Sequence, residues 1–547
     1  AGTGGPALAG LPIGPITVSN PLKPDATAIG ACLTTAGFQH ADQIPGLNII
    51  LGSSGNDDFT ADLTPGPDLI CGGAGRDIVD TLGEDDTFFG QGGRDTVRAN
   101  HGHFDGGAGD DTVGQDDVDD VTDLDFDLGN FATFVGGSGN DFVSFNGSLE
   151  DSNGGTELDP DAVAELGGGN DTVFGNVGTV RGQGGDDHVT VNAPGLVEGG
   201  AGNDHVGINT GIVDAGAGHD TVDHNAGTVF GRDGNDTIDD NDATFDGGAG
   251  DDHVEHNEGL FNGGAGNDSI EVRNAGTFNG GAGNDSVEEH YDGTFNGGAG
   301  NDSVEVNGRY GATFNGGEGD DSVGLNQEKA TFNGGAGTDS VQTNHGTFFG
   351  GNDIDRVWVA NHGTFEGGDG DDAADNNHGT FLGQAGNDNL ANNHDGALYD
   401  GGEGTDLIFG NGTNANDYGG DELLGGTGSD ILVGSDGNEL FDGGDGDDTI
   451  LTGDNNPGQG DVIRGSTGND RINFGGLNQG FVDLHYAVAT AGIVATFNGA
   501  ANAATVDKGA FGTDTLVDVI KPLEAGVTTG GLRIFGSAAA DSFTFDN

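Results

Sequence analysis

The chain is 547 residues long, carries 115 glycines, and sets 92 Asp and Glu against 15 Lys and Arg, a formal net charge of −77. That balance argues against nucleic acid as a partner, because phosphates need Lys and Arg; the absence of any run of about 18 apolar residues argues against membrane insertion. Hydrophobic residues make up 32%, so composition alone fits two readings: a disordered acidic polymer, or a fold whose carboxylates hold cations that offset self-repulsion.

Residues 1–48 carry no repeat, are proline-rich, and are expected to form a cap, an extended arm or a linker. Met is absent throughout, the first position included, so the chain is expected to start at a processed or trimmed end. Its two cysteines are Cys32 and Cys71. One pair in an acidic, extracellular-type chain suggests a single disulfide that would staple the arm to the first coils; two unpaired thiols are the alternative. Cys71 is expected at an outward-facing position.

Residues 49–113 read as a run of nonapeptides: Asp57, Asp68, Asp77, Asp86 and Asp95 succeed one another at spacings of 9 to 11, and Asp111 comes next. An acidic insertion, 114–165, then loops out around a single motif at Asp141. From 166 to 407 the chain repeats a longer unit, such as TFNGGAGNDSVE. Its aligned aspartates are Asp171, Asp187, Asp204, Asp220, Asp236, Asp252, Asp268, Asp285, Asp302, Asp321, Asp339, Asp355, Asp372, Asp388 and Asp406, spaced by 16 to 19 residues. Nonapeptides return over 408–475, as GGTGSDILV from Gly425, GSDGNELFD from Gly434 and GGDGDDTIL from Gly443, with Asp430, Asp448, Asp461 and Asp470 in frame and Glu439 in place of one Asp. Residues 476–547 turn apolar, end near a degenerate unit from Gly536 to Asp541, and are expected to cap or dock.

Each long unit holds two turn signals. Gly-Gly-x-Gly-x-Asp supplies glycines that reach positive φ without a Cβ clash, and Asn-x-Gly marks a second turn. Between them lie two short alternating stretches, such as Ile270-Glu-Val272 and Thr277-Phe-Asn279. Alternation places Ile270, Val272 and Phe278 inside and Glu271, Thr277 and Asn279 outside. One unit cannot bury its apolar side alone, but stacked units can. Stacking produces columns: Phe245 to Phe381, Val254 to Val357, and an edge column of Asn from Asn209 to Asn393. The Asn side chains would either hydrogen-bond up a ladder or serve only as turn formers.

The motif Gly-Gly-x-Gly-x-Asp-x-apolar-x resembles the nonapeptide of RTX (repeats-in-toxin) proteins, and does so over roughly residues 50–475. The resemblance implies an all-β fold, a right-handed parallel β-roll or β-solenoid. Multiple Ca2+ ions would be held between successive turns by the aspartates named above and by turn carbonyls. Calcium's preference for 6–8 oxygen ligands in adaptable geometry agrees with this. In a run of nonapeptides both edges would bind metal. In the central units the Gly-Asp turn returns to one edge only, so a single column is expected from about 166 to 407, with two-edged binding near 52–95 and 425–470.

His-Glu-x-x-His, Gly-x-Ser-x-Gly and Gly-x-x-x-x-Gly-Lys are absent. His345, His362, His378 and His394 recur at coil spacing and are expected to be exposed turn residues. The leading expectation is a secreted, non-enzymatic structural protein that folds on calcium and self-associates into a fibre, surface layer or matrix. An adhesin or other binding module that contacts a cell surface, polysaccharide or ice is the alternative. An enzyme with an unrecognised site on the solenoid is a lesser one. The resemblance also implies export by a one-step type I channel.

Overall fold

The computed structural model describes residues 17–19, 47–60, 63–114, 129–147, 161–308, 310–394, 396–410, 421–435, 437–453, 460–474, 481–487, 489, 492–498, 502–518 and 531–546. They divide into two units, Ala1–Ala265 and Gly266–Asn547, and the same local rules build both. The chain is an all-β parallel solenoid. Among the described residues the helical content is one short 3-10 turn, Gly509–Phe511, and no helix is long and apolar enough to cross a membrane.

Glycine makes the turns possible. Gly281 and Gly283 take φ of 112° and 138°, a region that costs L-residues about 1–2 kcal/mol. A Cβ at Gly283 would also collide with the Gly266 carbonyl, because successive turns stack backbone on backbone. After the turn the chain runs as a strand, bends at Asn-x-Gly, and returns as a second strand to the next Gly-Asp turn. Thr277–Ala282 therefore pairs in parallel with Thr294–Ala299, Phe278 opposite Phe295, while Ser286–His290 pairs with Ser303–Asn307, Val287 opposite Val304.

In-register pairing turns single apolar residues into columns. In the second unit Phe278, Phe295, Phe314, Phe332, Phe348, Phe365 and Phe381 are fully buried, with ring centroids 4.6–4.9 Å apart. Facing them are Ile270, Val287, Val304, Val323, Val341 and Val357, all buried. In the first unit the ring column begins with Phe88, Phe104 and Phe134 and thins to Ala164, Val180, Val197, Val213 and Val229 before Phe245 and Phe261. Each buried ring contributes about 2–3 kcal/mol of transfer free energy.

Two sequence expectations fail here. Val272 does not point inward; it is 39% exposed. In these strands the second inward position belongs to the Asn at the bend, as in Ser303–Asn307, where Val304 and Asn307 are buried and Val306 is half-buried. A bulge between Ile270 and Asn274 further shifts the register around Val272. Cys71 is not outward either; it is 5% exposed, and Asn48–Leu51 and Asp68–Ile70 are likewise buried on both faces of their strands. Cys71 is disulfide-bonded, whereas Cys32 lies outside the described residues.

Past Asp470 the coils change. Arg471–Asn473 pairs in parallel with Thr513–Val517, which is antiparallel to Ala503–Asp507. Phe481–His485 and Gly531–Phe535 carry on the other sheet in parallel.

Candidate metal-binding columns

The turn aspartates form a column along one edge of each unit. In the first unit the backbone N–H of Asp57 donates to Asp77 Oδ1, Asp77 to Asp95, Asp95 to Asp111, and so on through Asp141, Asp171, Asp187, Asp204, Asp220, Asp236 and Asp252, at 2.6–2.9 Å. In the second unit the same bond links Asp268, Asp285, Asp302, Asp321, Asp339, Asp355, Asp372, Asp388, Asp406, Asp430, Asp448 and Asp470 at 2.7–3.2 Å. It then continues to Asp514, which sequence reading missed.

Only one carboxylate oxygen is used in this way. The other, Oδ2, is buried without a hydrogen-bond partner at Asp77, Asp95, Asp111, Asp141, Asp171, Asp187, Asp204, Asp220 and Asp236, and again at Asp285, Asp302, Asp321, Asp339, Asp355, Asp372, Asp388, Asp406, Asp430 and Asp448. Leaving a buried acceptor unmet costs about 1–3 kcal/mol, more for a charged one. Asp57 differs, since its Oδ2 accepts the Ser53 N–H and hydroxyl at 2.6 and 2.9 Å.

The free oxygens converge with backbone carbonyls. A Cβ built on Gly199 would meet Asp204 Oδ2 and the Ala215 carbonyl; one on Gly401 would meet Asp406 Oδ2 and the Gly425 carbonyl; one on Gly316 would meet Asp321 Oδ2 and the Gly334 carbonyl. Each turn thus aims carboxylate and carbonyl oxygens of neighbouring coils into a space that glycine keeps open. Among the described residues no three His, Cys, Asp or Glu side chains gather on one point. The donor set is one carboxylate per coil plus carbonyls, which suits a hard, oxygen-seeking cation such as calcium and not a thiolate- or imidazole-seeking one.

Electrostatics point the same way. Burial pushes Asp95, Asp187, Asp220, Asp285, Asp321, Asp339 and Asp448 up to about 7, and Asp111, Asp355 and Asp388 up to about 8; neighbouring aspartates add to the rise. Like charges stacked about 4.8 Å apart repel by about 3 kcal/mol per pair at an effective dielectric near 20.

The opposite edge has different chemistry. Asp68 and Asp86 stand there at the start, Asp68 donating its N–H to Asp86 Oδ1 at 2.8 Å. From Asn100 onward the edge is a ladder of asparagines, each amide donating to the next Oδ1: Asn100 to Asn130, Asn146, Asn176, Asn192, Asn209, Asn225, Asn241 and Asn257 at 2.7–2.9 Å. In the second unit the ladder runs Asn307, Asn326, Asn344, Asn361, Asn377 and Asn393. His290 stands in for one Asn, with Nδ1 3.0 Å from Asn307 Oδ1. The ladder reading of these asparagines is therefore the correct one. Acidic residues return at this edge as Asp421, Glu439 and Asp461; Asp421 accepts the Gly396 N–H at 3.1 Å and Glu439 donates its own to Asp461 at 3.1 Å. Asp421 was missed because no Gly-x-Gly precedes it. The recurrent histidines form a stack, with centroids of His345, His362, His378 and His394 4.7, 4.6 and 4.0 Å apart.

The family model of the RTX calcium-binding nonapeptide repeat matches residues 64–100, 416–450 and 458–478. The chain therefore carries RTX calcium-binding nonapeptide repeats within its β-solenoid. Those matches are narrower than the resemblance over 50–475, and they fall where carboxylates occupy both edges; the longer coils with an Asn edge lie outside them. A solved structure described as a hyperactive, Ca2+-dependent, β-helical antifreeze protein from an Antarctic bacterium aligns over 75% of this chain and 84% of its own, at 15% identity and a TM-score of 0.14. No curated protein matches. The RTX repeats indicate calcium binding.

Proposed function

We propose that this RTX-repeat chain is a secreted structural protein, not an enzyme, whose coils are locked by calcium along the aspartate column and which associates outside the cell into a fibre, surface layer or matrix. The observation that carries this is the buried, unpartnered Oδ2 repeated coil after coil. Asp77 to Asp236 and Asp285 to Asp448 would hold the ions. The cation would supply the positive charge that the turns lack.

Coupling to location is a matter of linkage. Ions that bind only the folded roll stabilise it by about 2.7 kcal/mol per site at a hundredfold excess over Kd, and with a site in every coil the sum decides whether the chain folds. Such a chain stays unfolded where calcium is scarce, which suits passage through a type I export channel, and folds where calcium is abundant. Self-association is supported by the Ser542–Asp546 coil, where Phe543, in register with the buried Ala495, is 45% exposed. Electron microscopy and light scattering with and without calcium test it. Ordered assemblies in calcium are expected, and a monomer under both conditions rejects the structural role.

A second reading rests on one flat row. Asn296, Asn315 and Asn333 donate in turn to Asn279, Asn296 and Asn315 at 2.6–2.8 Å on the outer face of their sheet, beside Thr277, Thr294, Thr313 and Thr331. A regular polar lattice of this kind fits binding to an ordered surface, ice or polysaccharide included. Thermal hysteresis and glycan binding measured on the calcium-loaded chain, with none found, dismiss it.

A further inference from the structure

The aspartate column ends on a lysine. Lys508 Nζ lies 2.8 Å from Asp470 Oδ2, 2.5 Å from Asp514 Oδ1 and 2.8 Å from the Ser466 carbonyl oxygen. Lys508, Asp470 and Asp514 are at most 2% exposed at their side chains. This ammonium therefore contacts two carboxylates from adjacent coils and a turn carbonyl, the same kinds of oxygen that converge in the regular turns. Asp448, one coil earlier, has an unpartnered Oδ2, whereas that of Asp470 accepts from Lys508 and, at 3.1 Å, from the Ser466 hydroxyl.

Chain geometry explains how a lysine gets there. Gly509-Ala-Phe-Gly-Thr-Asp-Thr-Leu-Val517 fits the nonapeptide frame with Ala510 in place of a glycine, and Gly512 stacks on the Gly468 carbonyl as a turn glycine does. In the preceding coils the residue six before the Asp comes in on a parallel strand and faces outward, as Asp442 and Arg464 do; both stay solvent-accessible. Here the turn is entered from the antiparallel strand Ala503–Asp507, which directs Lys508 inward.

We propose that the Asp470–Asp514 turn is a divalent-cation site held closed by this chain's own ammonium, Lys508 acting as a tethered substitute for the ion. This rests on the calcium reading of the column above it. Asp514 Oδ2 remains buried without a hydrogen bond, the Tyr486 hydroxyl lying beside the same carboxylate, so the turn has oxygen donors left for an ion once the lysine is gone.

Full-length wild type, Lys508→Ala and Lys508→Ala/Asp514→Asn are saturated with calcium, freed of excess ion and assayed for metal content, with hydrogen exchange tracked at the Asp470 and Thr515 amides. These amides donate to Asp514 Oδ1 and the Asp470 carbonyl. The expected result is one additional calcium per chain in Lys508→Ala, none in the double variant, and both amides protected in Lys508→Ala at saturating calcium. Equal calcium content in wild type and Lys508→Ala overturns the proposal, as does loss of amide protection that saturating calcium does not restore. Wild type that binds no calcium overturns the reading of the whole column instead.

Discussion

The two edges of the central coils perform the same backbone task with opposite chemistry. At each, a side-chain oxygen reaches a polar group of the neighbouring coil, by Asp339 Oδ1 from the Asp321 amide on one edge and by Asn344 Oδ1 from the Asn326 amide group on the other. Asparagine carries donor and acceptor together, so a stack of them satisfies itself: Asn344 also donates to the Thr364 carbonyl at 2.9 Å. Aspartate only accepts, so at coils such as those of Asp321, Asp339 and Asp355 the stack leaves one carboxylate oxygen without a hydrogen-bond partner. Under the proposed calcium reading, the contrast puts calcium dependence at one edge and calcium-independent cohesion at the other.

The largest test of that contrast is pH in a chelator. The folded-state pKa of the column aspartates is raised from 3.8 to about 7 or 8 at Asp95, Asp339, Asp111 and Asp388. Between pH 4 and 8 the folded chain therefore binds more protons than the unfolded one, and metal-free stability falls as pH rises through that window. Circular dichroism in chelator should show little β signal at pH 8 and a recovered signal near pH 5. His290, held down to about 4 by burial, and His188, His362, His378 and His394, lowered by burial and by neighbouring imidazoles, act in the opposite sense below about 6.5, but these few imidazoles stand against a carboxylate in most coils. Fully buried in the middle of its ring column, Phe314 should cost about 3–5 kcal/mol as Phe314→Ala in calcium denaturation curves.

Smaller effects separate the edges themselves. Asn344→Ala breaks one rung and leaves the Asn326 amide and the Thr364 carbonyl short of partners, a loss of about 1–3 kcal/mol that should be the same at any saturating calcium level. Asp339→Ala should lower calcium content and shift the calcium midpoint upward, so its cost should shrink as calcium is raised. Asp339→Asn places a donor in the Asp column and should stabilise the chelated chain relative to wild type. Gln183, at φ 73° in a turn position that glycine usually fills, should give about 0.5–1 kcal/mol of added stability as Gln183→Gly, read as a small rise in Tm.

Much of this was legible because a repeat multiplies weak signals. A single buried Phe per coil says little, but the same Phe at Phe278, Phe295 and Phe314 defines a sheet face. The aspartate column was legible for the same reason. Strand alternation misplaced Val272 because it assumes a straight strand, and the inward-turned Asn changes the parity. Asp514 lay in a readable frame but 44 residues after Asp470, beyond any coil spacing used to find it. Lys508 carried no local signal; its position depends on a reversal of strand direction that only the folded chain reveals.

Metal content and β structure measured together on one calcium titration at pH 8 test the central claim most directly. The account predicts that β signal appears cooperatively with bound calcium and disappears on chelation. Native β signal in chelator at that pH, or purified folded protein free of calcium, would contradict it.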